Sequence, residues 1–423
     1  MSMNAMRATT LALAALAAAI PGQASAASIQ RNSPIATGAN SLEVAGLAAA
    51  GDGRPSALLV DRSSGRMTLW RGNDSGATVS RTVVATVPFG IRPVVLRAAG
   101  RTGLVTYWRE YRGNRERMVV AHGDRLQNRQ RFDGYDVVDL ATAPDGRAAL
   151  LLRKGRPYAS GPREFAVSTR PAGSGRFGAP VSVDSAISGQ VAVGRDTDVT
   201  AAALVTTSGV SVVERSGRAG SFTTTVVGAG ADAQNPAIGI GEGMRITIAW
   251  TRSVIGGRQL VAATRRAPVA VDGVQPLVAF TPADPIPVKV AALDAAPALY
   301  VSGKRDGVVW AGDFGTAGIY PIVSSRGSGA WSSYFRTDTS PADRHGVVAS
   351  EPFSSATGVA ATIAKSGRVK IAGVGATGSS RFRTLNGSRN TFTLPYVASG
   401  GGSSWVAITE SRGARRVVRV LQF

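Results

Sequence analysis

Short apolar runs bounded by turn residues recur along the chain, and no sustained 3.6-residue apolar periodicity appears after residue 26. The stretch from Asp139 to Val183 shows the unit. Leu140-Ala141-Thr142-Ala143 leads into Pro144-Asp145-Gly146-Arg147, an uninterrupted apolar run follows at Ala148 to Leu152, and a polar loop spans Arg153 to Glu164. Phe165-Ala166-Val167-Ser168-Thr169 then leads through Pro171-Ala172-Gly173 to a last extended piece ending at Val183. Asp-Gly supplies positive φ and Pro fixes φ, as tight hairpins require. The pattern predicts four short strands in an antiparallel meander.

The apolar run at Ala148 to Leu152 returns as Ala57 to Val60, Gly103 to Trp108, Ala201 to Val205, Ile246 to Trp250, Ala298 to Val301, Val359 to Ile363 and Trp405 to Ile408. Anchors at 57, 103, 149, 201, 246, 298, 359 and 405 are spaced by 46, 46, 52, 45, 52, 61 and 46 residues, so eight units fit the chain. That period, with four strands per unit, is the pattern of a β-propeller. A strand covered on both faces by neighbouring blades loses the polar alternation of a half-exposed strand. A lone meander cannot bury such faces, so the units must close into a ring. The expectation is an all-β chain folded as a single β-propeller of four-stranded antiparallel blades, eight by preference and seven if the unit around Ala201 is something else. The last unit, Thr391 to Phe423, holds three strands, the third at Val417 to Phe423. The mature N-terminal strand, near Ile29 to Thr37, is expected to supply the fourth and close the ring. Two stacked β-sandwich domains are the rival architecture.

Three turns carry resemblances to known propellers. Pro144-Asp145-Gly146 resembles the Pro-Asp-Gly turn of TolB-like and related secreted bacterial propellers. Asp74-Ser75-Gly76-Ala77-Thr78 is similar to part of the Asp-box of sialidase-like propellers, with Gly72 and Val79 where the flanking Ser and Trp would stand. Gly51-Asp52-Gly53-Arg54-Pro55 resembles a piece of the calcium-binding repeats of integrin-type propellers. There Ala48, Ala49 and Ala50 replace the oxygen ligands that calcium needs, so no metal is assigned.

Composition adds a location and removes staples. Met1 to Thr10 carries one basic residue, Arg7, followed by apolar Leu11 to Ile20 and then Pro21-Gly22-Gln23-Ala24-Ser25-Ala26. This is the pattern of a signal peptide, too short to span a bilayer, so residues 1–26 are expected to be removed, leaving a secreted propeller domain over 27–423. The chain has no cysteine, hence neither a disulfide nor a lipoprotein anchor.

Catalysis requires an identifiable nucleophile, acid, base or metal. The two histidines, His122 and His345, lie far apart without metal-type spacing and read as loop residues. No nucleophile elbow or phosphate loop occurs. Gly373-Val374-Gly375-Ala376-Thr377-Gly378 spells a dinucleotide fingerprint, but it reads as a β-turn because no helix pattern follows. Glu164, Glu242, Glu351, Asp338 and Asp343 are candidates for paired carboxylates, although nothing in the sequence brings two together. No catalytic residue and no cofactor is assigned.

Charge is more informative. The formal net charge is +21. In a meander alternate loops emerge on opposite faces. The second-to-third-strand loops hold nineteen basic residues against six acids, about +13, whereas the first-to-second-strand loops come to about −1. Arg109, Arg112, Arg115, Arg117, Arg153, Arg156 and Tyr158 lie on the cationic side. The longest step, of 61 residues, marks an insertion from Ser324 to His345 that adds Trp331, Tyr334 and Arg336. These ten are the candidate ligand-binding residues, since forked arginines hold phosphate and carboxylate while aromatic rings stack on sugars or bases. The expected function is a monomeric, non-enzymatic binding or scaffold propeller at the cell exterior. Its partner is expected to be an anionic polysaccharide or other extracellular polyanion, or else a protein. A sialidase-like or other polysaccharide-active enzyme is the alternative.

Overall fold

The computed structural model describes residues 31–39, 41–86, 95–112, 115–155, 161–217, 220–255, 257–265, 279–281, 284–290, 297–302, 305–313, 319–326, 335–336, 342–349, 358–364, 366–375, 378–379, 383–385 and 395–422. The leader expected over 1–26 lies outside them.

Eight antiparallel meanders follow one another around a ring. Blade 1 consists of Leu42–Ala49, Pro55–Asp61, Arg66–Gly72 and Thr78–Thr86, in that order from the ring axis outward. Blade 2 runs from Leu96–Ala99 to Asn128–Phe132, and blade 3 from Tyr135–Thr142 to Val181–Ala186. Blade 4, the unit whose membership set seven blades against eight, has a full meander: Ser188–Val193, Val199–Val205, Gly209–Ser216 and Thr223–Ala229. Blade 5 spans Gln234–Ile240 to Asp284–Val290, and a single bridge between Val290 and Gly312 joins its sheet to blade 6. In blade 7 the fourth strand comes in two pieces, Gly378–Ser379 and Arg383–Thr384, both paired with Val369–Gly375. Blade 8 is built from both ends of the described chain: Tyr396–Gly400, Ser403–Arg412 and Arg415–Gln422 are joined on the outside by Arg31–Ala39, from Arg31 opposite Gln422 to Ala39 opposite Arg415.

The second strands explain their own sequence. In blade 3, Leu150 and Leu152 pack with Val105, Tyr107 and Val120 of blade 2, while Ala149 and Leu151 pack with Val191, Ala202 and Leu204 of blade 4. Successive side chains point to opposite faces, and both faces are interior, so every position from Ala148 to Leu152 is apolar and buried. Blade 1 repeats this, with Leu58 and Val60 toward blade 2 and Ala57 and Leu59 toward blade 8. Blades meet closely enough at the axis that a Cβ on Gly46 would stand 2.8 Å from the backbone nitrogen of Leu96, which is why this innermost-strand position carries no side chain.

Blade 6 departs from the sequence expectation. Ala298–Ser302 is its innermost strand, Arg305–Asp313 its second and Ile319–Arg326 its third, against which Phe335–Arg336 pairs as the fourth. Leu299 is buried with Ala237 and Ala249 of blade 5, in the same cluster as Val308 and Trp310 of the second strand, so apolarity alone does not distinguish the two strands. The supposed insertion from Ser324 to His345 is thereby reassigned where it is described. Ser324 to Arg326 ends the third strand of blade 6, and Ala342 to His345 begins the innermost strand of blade 7, Ala342–Ala349. Arg305 and Asp306, counted above with the second-to-third-strand loops, stand instead at the first-to-second-strand hairpin of this blade, on the opposite face.

Candidate functional site

Call the face where second-to-third-strand hairpins emerge the lower face; innermost strands begin there. One arrangement recurs on it. Glu43 and Asp136 each stand one residue into an innermost strand, in equivalent register: Glu43 is opposite Val60, and Asp136 is opposite Arg153. Each buried carboxylate takes one guanidinium from its own blade and one from the blade before. Asp136 accepts from Arg153 at 2.9 Å and from Arg109 of blade 2 at 2.7 Å. Glu43 accepts from Arg62 at 2.6 Å and lies 3.6 Å from Arg416 of blade 8. The two seams differ in what reaches water. Arg109 and Arg153 have side chains only 11% and 21% exposed, so their charge is spent inside the fold. At the seam between blades 8 and 1, Arg62 is 64% exposed above a carboxylate that is 10% exposed. Nearby Glu410, 1% exposed, is paired with Arg412, 55% exposed, at 3.2 Å, and with Arg419 at 3.1 Å. Arg416 and Arg419 are each only 14% exposed, so of the four guanidiniums it is Arg62 and Arg412 that stand out over the sunken acids and present positive charge at this seam.

Of the expected ligand-binding residues, Arg109 and Arg153 are brought together, on Asp136. Arg117 lies 3.6 Å from Asp133. Arg112 and Arg115 face each other at the end of their hairpin. Arg336 lies in the short fourth strand of blade 6. Arg156, Tyr158, Trp331 and Tyr334 lie outside the described residues. The aromatic neighbours Tyr107 and Trp108 are buried strand residues, with Arg129 stacked 5.6 Å above the indole. Glu410 is one of the six acids counted in the lower-face loops, whereas Glu43 and Asp136 are not among them. Aligning the innermost strands by their turns would have found these two, each the second residue of its strand.

The ring axis holds a channel with a cavity of about 210 Å³, whose polar lining includes Arg97, Asp139, Gln190 and Arg195. The inner edge of an innermost strand has no neighbouring strand to accept its N–H groups, so side chains serve instead. Asp139 accepts from the backbone N–H of Val191 at 2.9 Å, and Gln190 from that of Ile238 at 2.8 Å, each reaching into the next blade from the same strand position. Burial pushes the Asp139 carboxyl up, opposed by the Val191 N–H and the charge of Arg97.

On the upper face the expected resemblances resolve into turns. Asp145 accepts from the N–H of Arg147 at 2.9 Å, with Gly146 at φ 95°. The Arg147 guanidinium crosses to blade 4 and donates to the carbonyl of Gly194 at 2.9 Å. In the Asp-box-like segment it is Asn73 that organises the loop, accepting from the N–H groups of Ser75 and Ala77, each at 3.0 Å. Gly375 and Gly378 are partners in a hairpin, as the β-turn reading expects. His122 corrects an expectation: it is no loop residue but a buried one in the strand Arg115–Gly123, its ring edge-on to Phe177 at 6.3 Å. Burial, and then the charge of Arg170, pushes its imidazole down. His345 is likewise in a strand.

No protein-family model matches the sequence, and neither does any curated protein. Among solved structures the chain is similar to the Dos1 propeller, with 11% identity, 92% of this chain and 94% of that one covered, and a TM-score of 0.51. It is also similar to the polysaccharide lyase Uly1, at 8% identity over 90% and 89% of the two chains with a TM-score of 0.47. TolB from Acinetobacter baumannii matches at 14% identity over 65% of this chain, with a TM-score of 0.35, and the chain spans 61% of it. The likeness to the Dos1 propeller is one of fold and agrees with the ring of four-stranded blades: the chain is a β-propeller.

Proposed function

We propose that the chain is a secreted, non-enzymatic binding or scaffold propeller whose lower face holds anionic polysaccharide. The observation that supports this reading is the layering at the seam between blades 8 and 1, where the buried carboxylates of Glu43 and Glu410 each pair with one guanidinium that meets solvent, Arg62 and Arg412. Guanidinium is charged at every accessible pH and matches carboxylate and sulfate in a forked geometry. Held in place by a buried partner, it loses little freedom when it takes an outer anion. The leader-like pattern of residues 1–26 supports an extracellular setting, and among the described residues no helix is long and apolar enough to cross a membrane.

The test is retention of residues 27–423 on dextran sulfate, polygalacturonate, neutral dextran and duplex DNA across a salt series, with the polymers analysed afterwards. Retention on the anionic polysaccharides that falls steeply with salt and leaves them intact is the expected result. Cleavage of any polymer would replace this reading with that of a polysaccharide-active enzyme.

A further inference from the structure

We infer that the polysaccharide seat straddles the seam at which the first described strand is laid against the last, so that ligand binding and ring closure reinforce each other. The inference rests on the proposed function and adds its place and its energetic consequence. Three observations carry it. The hairpin of blade 1 and the hairpin of blade 8 are tied to one carboxylate, since Arg62 and Arg416 both reach Glu43. The blade 8 hairpin, where Arg412 pairs with Arg415, is the one against which the end of the first strand lies, with Ala39 opposite Arg415 and Gly38 opposite Arg416. The side chains of Arg66 and Arg415, one on each hairpin, are exposed beside Arg62 and Arg412.

The carboxylates of Glu43 and Glu410 are buried under their arginines, while Asp61, whose carboxyl is held well below the usual range by hydroxyl bonds from Ser41, Ser63 and Ser64, stays ionised and sets one negative charge against the exposed Arg62, Arg66, Arg412 and Arg415. A chain of carboxylates or sulfates laid across the seam therefore meets donors from both hairpins at once. Whatever binds both hairpins favours the state in which they are together, and that state includes the docked first strand.

Two pairs of exposed arginines make the test: Arg66→Gln with Arg415→Gln at the seam, and Arg101→Gln with Arg125→Gln on the upper face. Neither pair removes a buried ion-pair partner, so both variants should fold. With dextran sulfate as probe, the seam variant is expected to lose at least tenfold in affinity and about two units of salt slope, while the other variant stays near wild type. In wild type, dextran sulfate is expected to slow amide exchange in Arg31–Ala39 and Arg415–Gln422, and in the seam variant that slowing is lost. Equal affinity of the two variants would overturn the placement, and unchanged exchange on saturation would overturn the coupling, in both cases leaving the broader reading intact. Failure of wild type to bind dextran sulfate would overturn both, as would tighter retention on duplex DNA, which would make the partner a nucleic acid.

Discussion

At the scale of single residues, the chain spends many of its arginines on its own interior. Asp136 shows the consequence. Replacing it by Asn leaves two largely buried guanidiniums facing a neutral amide, and an uncompensated buried charge costs about 3 kcal/mol. Asp136→Asn should lower the thermal midpoint markedly, whereas Glu164→Gln, which removes only the exposed partner of Lys154, should leave it unmoved. His122 yields a pH dependence with a definite sign. Because the fold pushes its imidazole down, the unfolded chain takes up the proton more readily, so stability is complete above the ordinary imidazole value near 6.5 and falls as pH drops below it. Denaturant midpoints measured from pH 8 to pH 5 should show that fall, and His122→Gln should flatten it. Neither role was legible in the sequence. Arg109 lies 27 residues from Asp136, on another blade, and no spacing rule links them until the blades are set side by side. His122 read as a loop residue because it lacks metal-type spacing and stands just before the Gly123-Asp124 turn, although it ends the apolar run Met118 to Ala121.

At the scale of the element, the second strand is where sequence and structure agree best, because burial on both faces leaves an unbroken apolar run. Leu150→Ala should cost about 3 kcal/mol, since its side chain is sealed between blades and the cavity cannot collapse. Val226→Ala, on an exposed outer strand, should change the unfolding free energy little. Blade 6 marks the limit of that signal. Its innermost strand is only five residues long and almost wholly apolar, so it passes for a second strand, and the following strands appeared as an insertion. The innermost strands of blades 3 and 4 carry Asp139 and Gln190 instead, polar residues whose value lies in a backbone N–H of the next blade and is therefore invisible to any local pattern.

At the scale of the whole molecule, blades are held to their neighbours by apolar faces within and by single side chains crossing the seams. The seam between blades 8 and 1 has several such crossings: Trp405 donates to the carbonyl of Gly53 at 2.9 Å, Thr409 accepts from the N–H of Val44 at 3.1 Å, and the guanidinium of Arg81 donates to the carbonyl of Ile35. Deleting residues 31–39 should strip Ile35 from the core and leave Arg415–Gln422 with an unpaired edge, which is expected to lower the unfolding midpoint and cause concentration-dependent association visible by light scattering. That shared blade also sets an order of events. The strand Arg31–Ala39 precedes every other described strand and its partner Arg415–Gln422 follows the first seven blades, so it waits, unpaired, while those blades are made. Contacts so distant in sequence form slowly, and until they do an apolar edge stays open to any neighbouring chain. Assembly of the ring therefore finishes with the strand that was made before any blade, and any factor that shields Arg31–Ala39 during the wait governs how much of the chain reaches the closed state.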